Sequence, residues 1–267
     1  MAPTLLIDRP AVLEDSPART APGVLSSKRV YLREAVLLGL AVAVYFGVRS
    51  LTAGDHAQAA NNAWDIVALE QRLGIFHELD LQRWALGIAG LERVMNAIYI
   101  YGHWPVIFTV LVWLGRRRPS AYVVYRNALL ISGVVGMLIV ALYPVAPPRL
   151  MDLGFVDTVT LNTEAYRVLQ PPAFTNPYAA MPSFHVGWDL LVGIALVREG
   201  RSAWVRAVGR LIPVLMITAV VLTGNHYFLD AIAGDLIVLV SLALSRGAGQ
   251  PGRRGRDVPR RSYLRRW

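Results

Sequence analysis

The sequence predicts an all-α fold: a polytopic membrane protein built as a six-transmembrane-helix bundle, with amphipathic helices on its outer side. Three observations carry that prediction. Of 267 residues 55% are hydrophobic, and mean hydropathy is +0.43, too apolar for an ordinary soluble domain of this length. The apolar residues come in runs without Asp, Glu, Lys or Arg, from Ala35 to Val48, Val94 to Leu114, Asn127 to Pro148 and Leu211 to Gly224. About twenty mostly apolar residues cross a hydrocarbon core as a helix. Charge is also segregated along the chain, as a fixed membrane orientation requires.

Taken in order, residues 1–30 mix charges of both signs with Pro and Ser and lack the apolar core of a signal peptide, so a disordered cytoplasmic arm is expected. Residues 31–246 form the expected six-helix membrane domain, with spans at 33–53, 94–114, 122–144, 182–198, 209–225 and 228–246. Asp189 and Asp235 fall inside the fourth and sixth. Charges within a span are costly and turn toward the bundle interior or water, which makes them candidates for a site. Between the first two spans, 57–93 repeats apolar residues at helical spacing beside acids and amides, predicting amphipathic helices on the outer membrane face with a break at Gly74. Seven prolines at 144, 147, 148, 171, 172, 177 and 182 exclude a membrane helix from the stretch 144–182, and 144–181 reads as an outer loop over the bundle mouth. A basic tail, 247–267, ends the chain.

The net charge of +9 is informative by its position. Arg116, Arg117, Arg118 and Arg126 lie between the second and third spans, and Arg198, Arg201, Arg206 and Arg210 between the fourth and fifth. The chain after Ser245 carries eight arginines against one aspartate. By contrast, 54–93 holds six acids against three arginines, and 149–181 three against two. The positive-inside rule then places both termini in the cytoplasm and the loops 54–93 and 144–181 outside. Beside a span, the basic tail reads as a contact for anionic lipid rather than nucleic acid. The absence of cysteine excludes disulfide and thiolate chemistry.

Polar residues gather where this topology brings span ends together. Met181-Pro182-Ser183-Phe184-His185 opens the fourth span. Pro182 suits a first helical turn, and Ser183 with the free amides there can hold an anion. Thr223-Gly224-Asn225-His226 closes the fifth span, and Asp230 follows four residues after His226, on one face if the junction is helical. A carboxylate so placed binds one imidazole nitrogen and leaves the other as nucleophile or base. Arg149, in Pro147-Pro148-Arg149, can grip a phosphate with its planar fork. A histidine at a span end, His103 above all, also reads as an interfacial hydrogen-bonder. Asp189, one turn after His185, can pair with it or with Arg198. His226 and Asp230 could instead ligate zinc, but no recognisable zinc motif accompanies them, so no metal is assigned.

The segments Pro182-Ser183-Phe184-His185 and His226-Tyr227-Phe228-Leu229-Asp230 resemble the second and third motifs of the type 2 phosphatidic acid phosphatase superfamily. The resemblance is nearest to the branch that includes inositol phosphorylceramide synthase (inositolphosphotransferase-like). Pro147-Pro148-Arg149 is similar to the start of that branch's outer loop. Leu69, Glu70, Gly74, Ile75, Phe76, Glu78, Gln82, Asn96, Tyr99 and His103 are similar to its upstream part, so the likeness covers about residues 60–245. Two superfamily cations are absent. Leu142 stands seven before Arg149 where a Lys is usual, and Ala219 and Val220 replace a Ser-Arg pair. Asn225, His103, Tyr143 and main-chain groups are the candidate replacements.

The resemblance implies a metal-independent lipid phosphatase or phosphotransferase without cofactor, acting on a membrane lipid phosphate with water or an alcohol as acceptor. His226 would attack phosphorus to form a phosphohistidine, with Asp230 orienting it. His185 would serve as acid and then base, and Arg149 would neutralise phosphoryl charge. The competing expectation is a lipid-binding or transport protein, or a scaffold with a degenerate site. Arg-, Ala- and Val-rich, Lys-poor usage points to a bacterial plasma membrane protein.

Overall fold

The computed structural model describes residues 28–51, 56–162 and 176–248. The expected arm and tail lie almost entirely outside the described residues, as does the middle of the 144–181 loop. Ten helices follow one another among the described residues: α1 (Lys28–Leu51), α2 (His56–Leu73), α3 (Glu78–Leu86), α4 (Leu91–Tyr101), α5 (Trp104–Arg117), α6 (Pro119–Leu142), α7 (Thr158–Asn162), α8 (Phe184–Glu199), α9 (Ala203–Leu222) and α10 (Phe228–Ala248). A 3-10 turn covers Pro148–Leu150, and an isolated parallel bridge joins Val145 to Ala179.

Helices Pro119–Leu142, Ala203–Leu222 and Phe228–Gly247 are long and apolar enough to cross a membrane, and α4 with α5 would make a fourth span bent by 43°. Their outward faces carry Phe108, Leu138, Val214, Leu236, Val240 and Leu244, all exposed. In water such surface would cost about 25 cal/mol per Å², whereas lipid solvates it. Of the six expected spans, these account for four at most among the described residues. The first corresponds to α1. The fourth corresponds to α8, whose 16 residues reach about 24 Å against a core of about 30 Å.

The expected continuous span 94–114 is broken at Gly102 and His103. Pro105 has no N–H and its ring clashes with the carbonyl four residues back, so the helix cannot run through. It restarts at Trp104 with the proline in its first turn. The break turns His103 inward, where it is 2% exposed.

Helix α8 is the axis of the bundle. Its Trp188, Leu191, Val192 and Ala195 pack against Ile107 and Leu114 of α5, Tyr122 and Tyr125 of α6, and Val238 and Leu242 of α10. It also lies along α9. Burial on every side explains why its sequence shows little amphipathic bias. Helices α8 and α10 meet backbone to backbone, since a Cβ on Gly234 would collide with the Ser183 carbonyl. That approach lets the Ser183 N–H donate to the Asp230 carbonyl at 2.9 Å.

Helices α2 and α3 separate at Gly74, as predicted. They bury Ala59, Ala63, Ile66 and Val67 and leave Trp64, Leu69, Leu73 and Trp84 exposed. Their amides hold the chain that follows α6. Asn62 donates to the Pro144 carbonyl, and Gln82 both donates to and accepts from the Val156 backbone at 3.0 and 2.8 Å. From α4, Asn96 makes the same reciprocal pair with Thr158.

Candidate active site

Three histidines converge at one end of the bundle, each delivered by a different break in the helices. His103 occupies the α4–α5 break. His185 is in the first turn of α8, which Ser183 caps by accepting the Val186 N–H at 3.4 Å. Pro182 lies outside that first turn, because Ser183 takes the capping position. His226 follows the end of α9, where Gly224 at φ 66° makes a left-handed turn that a side chain would strain. The His185 ring lies 4.3 Å from His103, 4.4 Å from Tyr99 and 6.0 Å from His226, centroid to centroid. Trp188 stacks parallel to His103 and donates its indole N–H to Ser132 at 3.1 Å, which fixes that wall.

A carboxylate accompanies each flanking histidine. Asp189 Oδ1 is 3.0 Å from His103 Nδ1, so its partner is neither His185 nor Arg198, the two considered from sequence. Asp230 Oδ2 is 3.4 Å from His226 Nδ1 and accepts the Tyr227 N–H at 2.9 Å. The nearer group to His226 Nδ1 is the Ala180 carbonyl, at 2.8 Å. A carbonyl can only accept, so Nδ1 carries a proton, and in the neutral ring Nε2 then presents a lone pair. The carbonyl is itself held in place, because the Ala180 N–H donates to Val145 at 3.1 Å and the Val145 N–H to Tyr178 at 2.8 Å.

The other expected residues take varied positions. The Arg149 N–H donates to the Gly224 carbonyl at 2.9 Å, placing the arginine beside the His226 turn, with its Nε 3.4 Å from Asp157. Asn225 Nδ2 donates to Thr223 at 2.6 Å, and its buried Oδ1 has no partner, an acceptor rather than a donor for phosphate. The Tyr143 hydroxyl donates to the Asn62 carbonyl at 3.4 Å, beside α2 rather than among the histidines. Leu142 is exposed, while Ala219 and Val220 are wholly buried in an apolar cluster with Met95 and Met216.

A family model described as the PAP2 superfamily matches residues 64–244, more than half of the chain. The chain belongs to the PAP2 superfamily. Membership brings with it a superfamily of phosphatases and phosphotransferases, and the matched span contains all three histidines and both of their carboxylates. No curated protein and no solved structure matches the chain. Two acids of the PAP2 region were not singled out as site residues from sequence: Glu70 and Glu78, both wholly buried. They accept the Leu229 and Phe228 N–H groups at 2.7 and 2.9 Å, directly after His226. Their signal was an acid in the apolar stripe of α2, where Glu70 continues Ala59, Ala63, Ile66 and Val67.

Proposed function

We propose that this protein transfers a phosphoryl group from a lipid-linked phosphate or phosphodiester through a covalent phosphohistidine on His226. The observation that carries the reading is the Ala180 carbonyl on His226 Nδ1, which leaves Nε2 of the neutral ring as the nucleophile, with the His185 ring 6.0 Å away, centroid to centroid. Nε2 attacks phosphorus, the bond to the leaving oxygen breaks, and protonated His185 delivers its proton to that oxygen. His185 then removes a proton from water or an alcohol, whose oxygen attacks the phosphohistidine and returns the electron pair to Nε2. Asp230 stabilises the cationic ring. His103, held by Asp189, offers a second imidazole for the phosphoryl oxygens, and Arg149 can swing from Asp157 to neutralise them.

The missing superfamily cations favour the inositolphosphotransferase-like branch over a general lipid phosphatase. In this reading the chain crosses a bacterial plasma membrane six times, with both termini cytoplasmic and the site on the outer face. A headgroup then reaches the histidines while its tails stay in the bilayer, and the basic tail meets anionic lipid.

The test is the detergent-purified chain with a panel of lipid phosphates and phosphodiesters, compared with His226→Ala and His185→Ala. Undiminished turnover in His226→Ala would rule out the covalent route. Chase of trapped phosphoenzyme with water or inositol separates hydrolysis from transfer. No turnover on any member would favour a degenerate lipid-binding scaffold.

A further inference from the structure

Helices α8 and α9 are capped from within, by Ser183 and Ser202, each accepting an N–H three residues on. Helix α10, which carries the His226 turn into the bundle, is capped from outside. Its first N–H groups have no partner within the helix, and Glu78 and Glu70 take those of Phe228 and Leu229 from 150 and 159 residues away. The two acceptors sit on different helices, on either side of the Gly74 turn. The second oxygen of each acid is buried and has no hydrogen-bond partner, while the first oxygens of the two sit on adjacent N–H groups. Two buried carboxylates on adjacent N–H groups repel when both are ionised, and a proton shared between them would satisfy both orphaned oxygens.

We propose that Glu70 and Glu78 form a proton-sharing clamp that positions His226. The two acids hold the following turn against α2 and α3, so that Nδ1 stays on the Ala180 carbonyl and Nε2 is left for the phosphoryl group. Both are positioning residues for the phosphoryl transfer, a role that rests on His226 being the nucleophile. An internal cap would fix the turn only to its own helix. This one fixes it to the elements that also hold the chain after α6, including the bridge to Val145 that places Ala180.

The clamp has a defined alkaline limit. Burial, and then the hydrogen bond with Glu78, push Glu70 up to about 9, against the lowering effect of the Leu229 N–H. The groups facing it are Glu78 from α3, and Tyr227 and Asp230 from the start of α10, with His226 beyond Asp230. Loss of the shared proton leaves two repelling anions on adjacent N–H groups.

Glu70→Gln keeps an oxygen for Leu229 and supplies a permanent donor to Glu78, whereas Glu70→Ala removes both. The experiment reads the imidazole ¹⁵N spectrum of His226 in the detergent-solubilised full chain, assigned by its loss in His226→Ala. At neutral pH the parent and Glu70→Gln should show one tautomer, with protonated Nδ1, and Glu70→Ala a mixture. On titration the parent should lose the single tautomer near pH 9, while Glu70→Gln keeps it. A single tautomer in Glu70→Ala, or a Glu70→Gln titration identical to the parent's, overturns the clamp. If Glu70→Ala does not fold, the comparison of parent and Glu70→Gln decides alone.

With phosphatidic acid as the probe substrate, Glu70→Ala should lower kcat roughly 10²-fold, the scale of a misplacement of about 1 Å, at little cost in KM. The nucleophile reading fails separately, if His226→Ala keeps its turnover.

Discussion

Asp230→Asn tests which group holds the His226 tautomer. Two acceptors face Nδ1, the Ala180 carbonyl at 2.8 Å and Asp230 Oδ2 at 3.4 Å, and only the first lies at ordinary hydrogen-bond distance. The amide variant can keep its oxygen at the Oδ2 position, where it still accepts the Tyr227 N–H. Its nitrogen then replaces Oδ1, which has no partner. The substitution therefore removes a charge without opening the turn. That charge lies against a ring that becomes cationic in the proposed phosphoenzyme. A hydrogen bond to a charged group contributes about 1.5–3 kcal/mol. At 1.36 kcal/mol per tenfold, the rate of phosphoenzyme formation should fall roughly 10- to 150-fold. Where the carboxylate alone fixes the tautomer, as in serine proteases, the same substitution costs about 10⁴-fold. The assay is single-turnover phosphorylation of the purified chain by a lipid phosphate, with thermal unfolding as the control for folding. A loss near 10⁴ would mean that Asp230, not the carbonyl, sets the tautomer, and an unchanged rate would remove the charge from the mechanism.

Three further outcomes follow from the packing. Gly234→Ala drives a methyl into the Ser183 carbonyl at the α8–α10 contact, where both sides are backbone. It should cost about 1–3 kcal/mol, read as a lowered Tm in detergent, and an unchanged Tm would show that the helices can part. Val156→Cys in the cysteine-free chain should react with an impermeant maleimide on intact cells, because Val156 is 42% exposed whereas neighbouring Thr158 is 1% exposed. Labelling only after lysis would reverse the proposed orientation. Glu70 also ties stability to pH. Its folded value lies above its ordinary 4.5, so the folded state holds the proton more tightly. The stabilisation is complete below pH 4.5 and is lost as pH rises through about 9, at up to about 1.4 kcal/mol per unit. Thermal unfolding should show that slope in the parent and a flatter one in Glu70→Gln; equal slopes would place the titrating proton elsewhere.

The residues most legible from sequence were those whose identity alone restricts the structure. The charge-free run Asn127–Pro148 became most of α6, Leu211–Gly224 the second half of α9, and the expected span 228–246 became α10. Ser183 and Gly224, a capping hydroxyl and a left-handed turn, set where His185 and His226 fall. Less legible were the partners, which depend on how distant elements meet. Asp189 lies four residues after His185, so a local reading pairs them. The bend before Pro105 instead brings His103 to within 3.0 Å of Asp189, and the His185 ring stacks on Tyr99. The bend was written in the sequence as Gly102 and Pro105, but an uncharged run of 21 residues outweighs two helix breakers when spans are sought by hydropathy.

The group that decides the chemistry of His226 carries no sequence signature. Any residue at position 180 supplies a main-chain carbonyl, and only the bridge between Val145 and Ala179 aims this one at Nδ1. The amides that hold this side of the chain are scattered: Asn62 grips the Pro144 carbonyl beside the bridge, and Gln82 and Asn96 grip Val156 and Thr158 further along. Each is a buried or half-buried amide on an amphipathic or membrane-entering helix, and each grips backbone. A buried amide that satisfies a loop's main chain fixes that loop more firmly than apolar contact alone, because leaving either partner unpaired costs about 1–3 kcal/mol. The polar residues from 62 to 96 therefore need not touch substrate to matter for catalysis. Asn62 holds the chain beside the bridge that places Ala180, and in the proposed mechanism Ala180 leaves Nε2 of His226 free to attack.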